Sequence, residues 1–145
     1  MGVNYMKTYK ECDIPVVILG TEYMLHICPE SKDKRFETLN CDGFCDRSTK
    51  ELWVSNYLNS DKEVSVANPR YCILHAIKHE MVHAYLYESG LGSDWEHKDF
   101  GHEETTVDWI ASQFEKMHFV YNEILQKLSE FEIGTEDISN ETQET

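Results

Sequence analysis

Apolar residues recur along this chain with two different periods. Between Asp13 and Pro29, two short apolar runs (residues 14–19 and 24–28) flank Gly20-Thr21-Glu22-Tyr23. The first run is rich in β-branched residues, so the stretch predicts a β-hairpin. A second hairpin is predicted from Cys41–Cys45 and Leu52–Ser55, joined through Asp46-Arg47-Ser48-Thr49-Lys50. The charged stretch 31–40 reads as a loop or short helix, and the polar stretch 59–67 as a connection. From Asn68 the period changes to three and four: Leu74, Ile77, Met81, Ala84 and Tyr85 would share one buried helix face. Asn68-Pro69 supplies an N-cap residue and a proline at the first helical position. Ser89-Gly90 supplies a stop near Glu88. After a loop over 90–101, a second helix is expected from about His102 to Glu130. Its stripe would be Val107, Ile110, Ala111, Phe114, Met117, Tyr121, Ile124 and Leu128.

Paired strands followed by two helices predict an α+β domain over residues 13–130. In it a small, mainly antiparallel sheet packs on the helix 68–89, with the longer helix behind it. Residues 1–12 read as a flexible lead-in. Residues 131–145 hold five acidic and no basic side chains and little to bury, so they read as a disordered tail.

Composition narrows the function classes. The 145 residues suit one domain, and 41% hydrophobic content suffices for a single modest core. Thirteen basic against 27 acidic residues leave a formal charge of -14, a field that repels phosphate backbones and anionic lipid. A nucleic-acid or membrane-surface binder is therefore disfavoured, and a basic protein partner is not. The N-terminal stretch has no apolar core of a secretion signal, and no apolar run approaches the ~18 residues of a membrane span. Five cysteines (Cys12, Cys28, Cys41, Cys45, Cys72) without such a signal read as reduced thiols in a cytoplasmic protein.

The chemistry-bearing element is His79-Glu80-Met81-Val82-His83. Histidines four apart project from one side of a helix, so both imidazoles can reach one Zn²⁺. The glutamate after the first His can then take a proton from an activated water. A shuffled chain of this composition would contain the motif with a probability of roughly 4%, so its context carries much of the weight. That context is a capped amphipathic helix with Glu104 and Asp108 four residues apart at the start of the next one. One of these carboxylates can bind the metal while the other orients a ligand imidazole.

HExxH followed by a helical E-x-x-x-D resembles the gluzincin metallopeptidases. The short gap from His83 to Glu104 looks more like the minimal intracellular members, including ImmA/IrrE-type peptidases. HEMVHAYLYESGL and HEETTVDWIASQ are similar to small HExxH proteins encoded by prophages of Gram-positive bacteria. The resemblance covers about residues 68–118. It implies a minimal zincin-like fold and a zinc endopeptidase, with His79, His83 and Glu104 as ligands, Glu80 as general base and Asp108 orienting His79. It also implies that the strand around Leu52–Ser55 is the sheet edge beside the cleft, and that the substrate is a protein, such as a basic DNA-binding regulator of phage or host.

Other readings stay open at this point. Glu103 could replace Glu104, although only Glu104 has Asp108 one turn later. His97 or His102 could be a third His ligand, as in SprT-type peptidases that act on DNA-crosslinked proteins, against which the acidic charge argues. No downstream His or Tyr sits in an oxyanion motif and no second lobe is visible, features that suit a non-catalytic, zinc-stabilised interaction module. His75 is rotated off the ligand face and reads as structural or rim. Cys28, Cys41 and Cys45 read as thiols rather than a second zinc site. Trp53, Tyr57, Tyr85 and Tyr87 read as core or cleft wall, and Trp109 as packing beneath the site. The chain is expected as a monomer or small homo-oligomer.

Overall fold

The computed structural model describes residues 8–58, 66–91 and 104–133. Strand β1 (Thr8–Tyr9) precedes the hairpin of β2 (Cys12–Ile18) and β3 (Thr21–Cys28). A 3₁₀ turn (Glu30–Lys32) and the short helix α1 (Arg35–Thr38) lead to β4 (Gly43–Asp46) and β5 (Glu51–Ser55). Helices α2 (Pro69–Glu88) and α3 (Glu104–Leu128) follow, and the described chain closes with β6 (Glu132–Ile133). The architecture is α+β, as the element order predicts.

The first hairpin turns at Leu19-Gly20, one step earlier than the polar residues suggest, because both positions take positive φ (48° and 87°). Two consecutive left-handed residues match the twist of the flanking strands. Thr21–Tyr23 are thereby drawn into β3. Strand β2 alternates strictly, with Cys12, Ile14, Val16 and Ile18 buried and Asp13, Pro15 and Val17 exposed. Tyr23, Leu25 and Ile27 on β3 and Leu52 and Val54 on β5 extend the same apolar face.

The strand order is β2-β3-β5-β4. The two hairpins are antiparallel, but β3 and β5 pair in parallel, Leu25 opposite Leu52 and Ile27 opposite Val54. The expected edge strand is therefore interior: β5 lies between β3 and β4, and β4 is the edge. The cause is the connection after β3. A parallel neighbour needs a crossover, and the α1 segment provides it. Phe36 of α1 covers the outer sheet face against Cys28 and Phe44. The chain then enters one position too far out and returns through β5 to fill the gap.

Helix α2 crosses the apolar face over β4 and β5. The Asn68 side chain accepts a hydrogen bond from the Tyr71 amide at 3.1 Å, and Gly90 takes φ 86° just beyond the helix end. Ile73, Ile77, Met81, Ala84 and Tyr85 are its buried apolar positions; Leu74 is only half-buried, and Ile73 takes the place expected for it. Asn68→Ala should lower stability by about 1 kcal/mol, read as a fall in Tm; an unchanged Tm would show the cap to be dispensable.

Helix α3 departs from its expected stripe. Val120, Ile124 and Leu128 are buried, but Ile110 and Phe114 are 46% and 64% exposed. At 1.5 Å per residue the 25-residue helix is about 37 Å long, whereas the 7-residue β2 beneath it spans about 23 Å. Toward its N-terminus α3 runs past the sheet and lies beside α2. There Met81, Val82, Trp109, Ile110, Phe114 and Met117 line an apolar cavity of about 350 Å³.

Strands β1 and β6 pair with each other, Thr8 opposite Ile133, inside stretches expected to be a lead-in and a tail. Asn56 anchors them to the sheet: its amide donates to the Tyr9 carbonyl at 3.0 Å, and its own carbonyl accepts from the Thr8 hydroxyl. Residues 1–7 and 134–145 lie outside the described residues. No described helix is long and apolar enough to cross a membrane.

Candidate metal centre and cleft

The helical period brings His79 and His83 together on the side of α2 that faces solvent beside β4. Their Nε2 atoms are 3.1 Å apart, and the rings meet at 69° with centroids 4.8 Å apart. His79 is exposed and His83 half-buried. Burial, with His79 as a second cause, lowers the pKa of His83 and favours the neutral imidazole. Neutral imidazole is the form that binds a metal.

Glu80 points elsewhere. One residue along the helix is a rotation of about 100°, which turns its side chain from the histidine row toward the sheet. It is 5% exposed, lying against Gly43 at the start of the edge strand. A Cβ at position 43 would sit 3.0 Å from Glu80 Oε1 and 3.0 Å from the Trp53 carbonyl oxygen, so a glycine lets helix and strand approach this closely. Burial alone pushes the Glu80 pKa up to about 7, the range in which a carboxylate serves as a general base near neutral pH.

Two shallow cavities flank this point and share Cys41, Gly43, His79 and Glu80. The first, about 340 Å³, is bounded by Asp42, Tyr57, Tyr71, Cys72 and His75. The second, about 210 Å³, is bounded by Leu39, Phe44, Cys45, His83 and Tyr87. Together they form a cleft along the free edge of β4, with His79 and Glu80 at its centre and His83 in the second cavity. Tyr57 combines roles: it is 3% exposed, holds φ 60°, and donates its hydroxyl to Asp42 Oδ2 at 2.9 Å. Left-handed backbone at a bulky residue is strained, and here it directs the ring into the cleft wall. His75 lies on the cleft rim, stacked on Tyr71 with centroids 6.4 Å apart.

The other residues singled out from the sequence fall into two groups. Glu104 and Asp108 occupy the first two turns of α3, one turn apart, and their side chains lie outside the described residues. Glu103, His97 and His102 lie outside the described residues altogether. Among the described residues, no third His, Cys, Asp or Glu converges with the histidine pair into a metal-holding group. None of the five cysteines is in a disulfide.

Sequence reasoning missed Gly43 and Asp42 as parts of the site. Asp-Gly reads locally as turn chemistry, whereas here the glycine opens a strand for lack of a side chain. Trp53, read as core or cleft wall, packs against the buried cluster of Cys28, Phe36 and Phe44 and not in the cleft. It faces the opposite side of the sheet, stacked on His26 with centroids 4.0 Å apart. No family model, curated protein or solved structure matches this chain.

Proposed function

We propose that this chain is a minimal zincin, a zinc-dependent peptidase with His79 and His83 as metal ligands and Glu80 as general base. The observation that carries the reading is the 3.1 Å separation of the two Nε2 atoms. Two nitrogens bound at about 2.0–2.1 Å in a tetrahedral shell lie about 3.3–3.4 Å apart, so the pair fits one ion with an adjustment of a few tenths of an ångström. Glu104 is the proposed third ligand and Asp108 the acceptor that orients the His79 ring, with Glu103, His97 and His102 as the alternatives for the third position.

A bound Zn²⁺ would supply Lewis acidity, lowering the pKa of a water toward neutrality and stabilising developing negative charge. The chain does the rest. Glu80, which lines both cavities beside His79 and whose pKa burial raises to about 7, would take a proton from the attacking water and deliver it to the leaving amine. Burial lowers the His83 pKa and so favours the neutral imidazole that a metal needs. The edge strand β4 offers its outer backbone groups to an extended peptide, which would lie across the histidine pair. A net charge of -14 favours a basic protein substrate, such as a DNA-binding regulator.

Metal analysis of the purified protein tests the centre. About one zinc per chain is expected, falling to a trace in His79→Ala and His83→Ala. A loss in Glu104→Ala would assign the third ligand, and retention would move it to Glu103, His97 or His102. Zinc content unaffected by either histidine change would overturn the reading.

A further inference from the structure

The His83 end of the cleft terminates in a guanidinium. Tyr87 lines that cavity and stacks on His83 at 6.3 Å between centroids. Tyr87 also carries Arg47, from the β4–β5 turn, over its ring, with Cζ 5.2 Å from the centroid. An aromatic face at this distance holds a guanidinium in place without consuming its hydrogen-bond donors.

Among the described residues, the carboxylates nearest Arg47 in the chain and beside Tyr87 are already engaged. Asp46, its chain neighbour, accepts from Arg35 Nη1 at 2.7 Å and from the amides of Ser48 and Thr49 at 2.9 and 3.3 Å. Glu88, next to Tyr87, accepts from Lys50 Nζ at 2.6 Å, the Tyr23 hydroxyl at 2.7 Å and the Thr21 hydroxyl at 2.9 Å. Arg47 makes no ion pair with any described residue, in a chain with 27 acidic and 13 basic side chains. Lys50 and Arg35, the other cations flanking this turn, are both paired.

We infer that Arg47, held on Tyr87, is a carboxylate-binding subsite at the His83 end of the cleft. Its ligand is an Asp or Glu side chain, or the terminal carboxylate, of the peptide laid along β4. The inference rests on the metallopeptidase reading for where that peptide lies. A planar guanidinium with free donors suits a carboxylate, which it can grip with two parallel hydrogen bonds. The steps of 6.3 Å from ring to ring and 5.2 Å from ring to guanidinium correspond to at most about three to four residues of extended chain. The acidic group is therefore expected within that distance of the cleaved bond, on one side of it only.

The test is binding of short peptide hydroxamates to the zinc-loaded chain, since a hydroxamate anchors one end of the peptide at the metal. One series carries Asp or Asn at successive positions with both termini capped, and the hydroxamate at either end. A second series is neutral, with a free terminal carboxylate. A three- to tenfold tighter Kd is expected for one Asp position, or for the free carboxylate, over its neutral counterpart. Which series shows the gain names the source of the carboxylate. Arg47→Gln should abolish the gain while leaving the neutral peptides' Kd unchanged, and Arg47→Lys should restore part of it. Equal binding of acidic and neutral peptides, or a preference that survives in Arg47→Gln, would overturn the subsite alone. Failure of every hydroxamate to bind the zinc-loaded protein would overturn the metallopeptidase reading and the subsite with it.

Discussion

Glu80→Gln should leave zinc content intact and reduce hydrolysis of a degenerate quenched-fluorescence peptide library by about 10²–10⁴-fold, the usual contribution of a positioned general base. The same substitution should stabilise the zinc-stripped protein. Burial raises the folded-state pKa of Glu80 from 4.5 to about 7, so the fold prefers the neutral carboxyl. The sign follows: the stabilisation is fully present below about pH 4.5 and is lost as the pH rises through about 7. A glutamine is neutral throughout. At pH 8 the chelator-treated variant should therefore be more stable than the parent by about 1–3 kcal/mol, with the difference vanishing near pH 4. Denaturation at the two pH values reads this directly. Undiminished cleavage would remove Glu80 from the mechanism, whereas a lost stability difference would mean that its carboxyl is hydrated.

A second large effect is expected at a residue with no chemistry of its own. Gly43→Ala places a methyl group 3.0 Å from both Glu80 Oε1 and the Trp53 carbonyl oxygen. The carboxylate can swing away, but the carbonyl belongs to the central strand β5 and cannot. Either β4 shifts outward or Glu80 is displaced, so stability should fall by about 1–3 kcal/mol, the usual cost of overpacking. Hydrolysis should fall with it, while zinc binding, which depends on the solvent side of α2, should persist. Gly43→Ala with parental Tm and activity would show that α2 and β4 do not approach as closely as described.

These two residues mark the boundary between what is local and what is not. The helix α2, its Asn68 cap, its stop at Gly90 and the shared face of His79 and His83 could all be read from the chain. Each depends on neighbours within four residues, where the helical period leaves little choice. The two hairpins were legible for the same reason, as was the alternation that assigns β2 its buried face. The order of the strands was not. A period of two says which face a residue occupies but nothing about which strand lies beside it, so Leu52–Ser55 reads equally well as an edge or as a centre.

The consequences for the site follow from that one topological choice. With β5 interior, β4 becomes the rim of the cleft. Gly43 then meets Glu80, Tyr57 and Asp42 enter the wall, and the β4–β5 turn carries Arg47 to Tyr87, 40 positions away in the chain. The overhang of α3, which leaves Ile110 and Phe114 exposed, is likewise a matter of one element outrunning another. The α+β class, the helix α2 and the spacing that brings two imidazoles to one point were legible in the chain, because short-range geometry dictates them. The burial of Glu80, which pushes its pKa up to about 7, came from the tertiary packing, because desolvation is imposed by what packs against a carboxylate and not by the residues beside it in the chain.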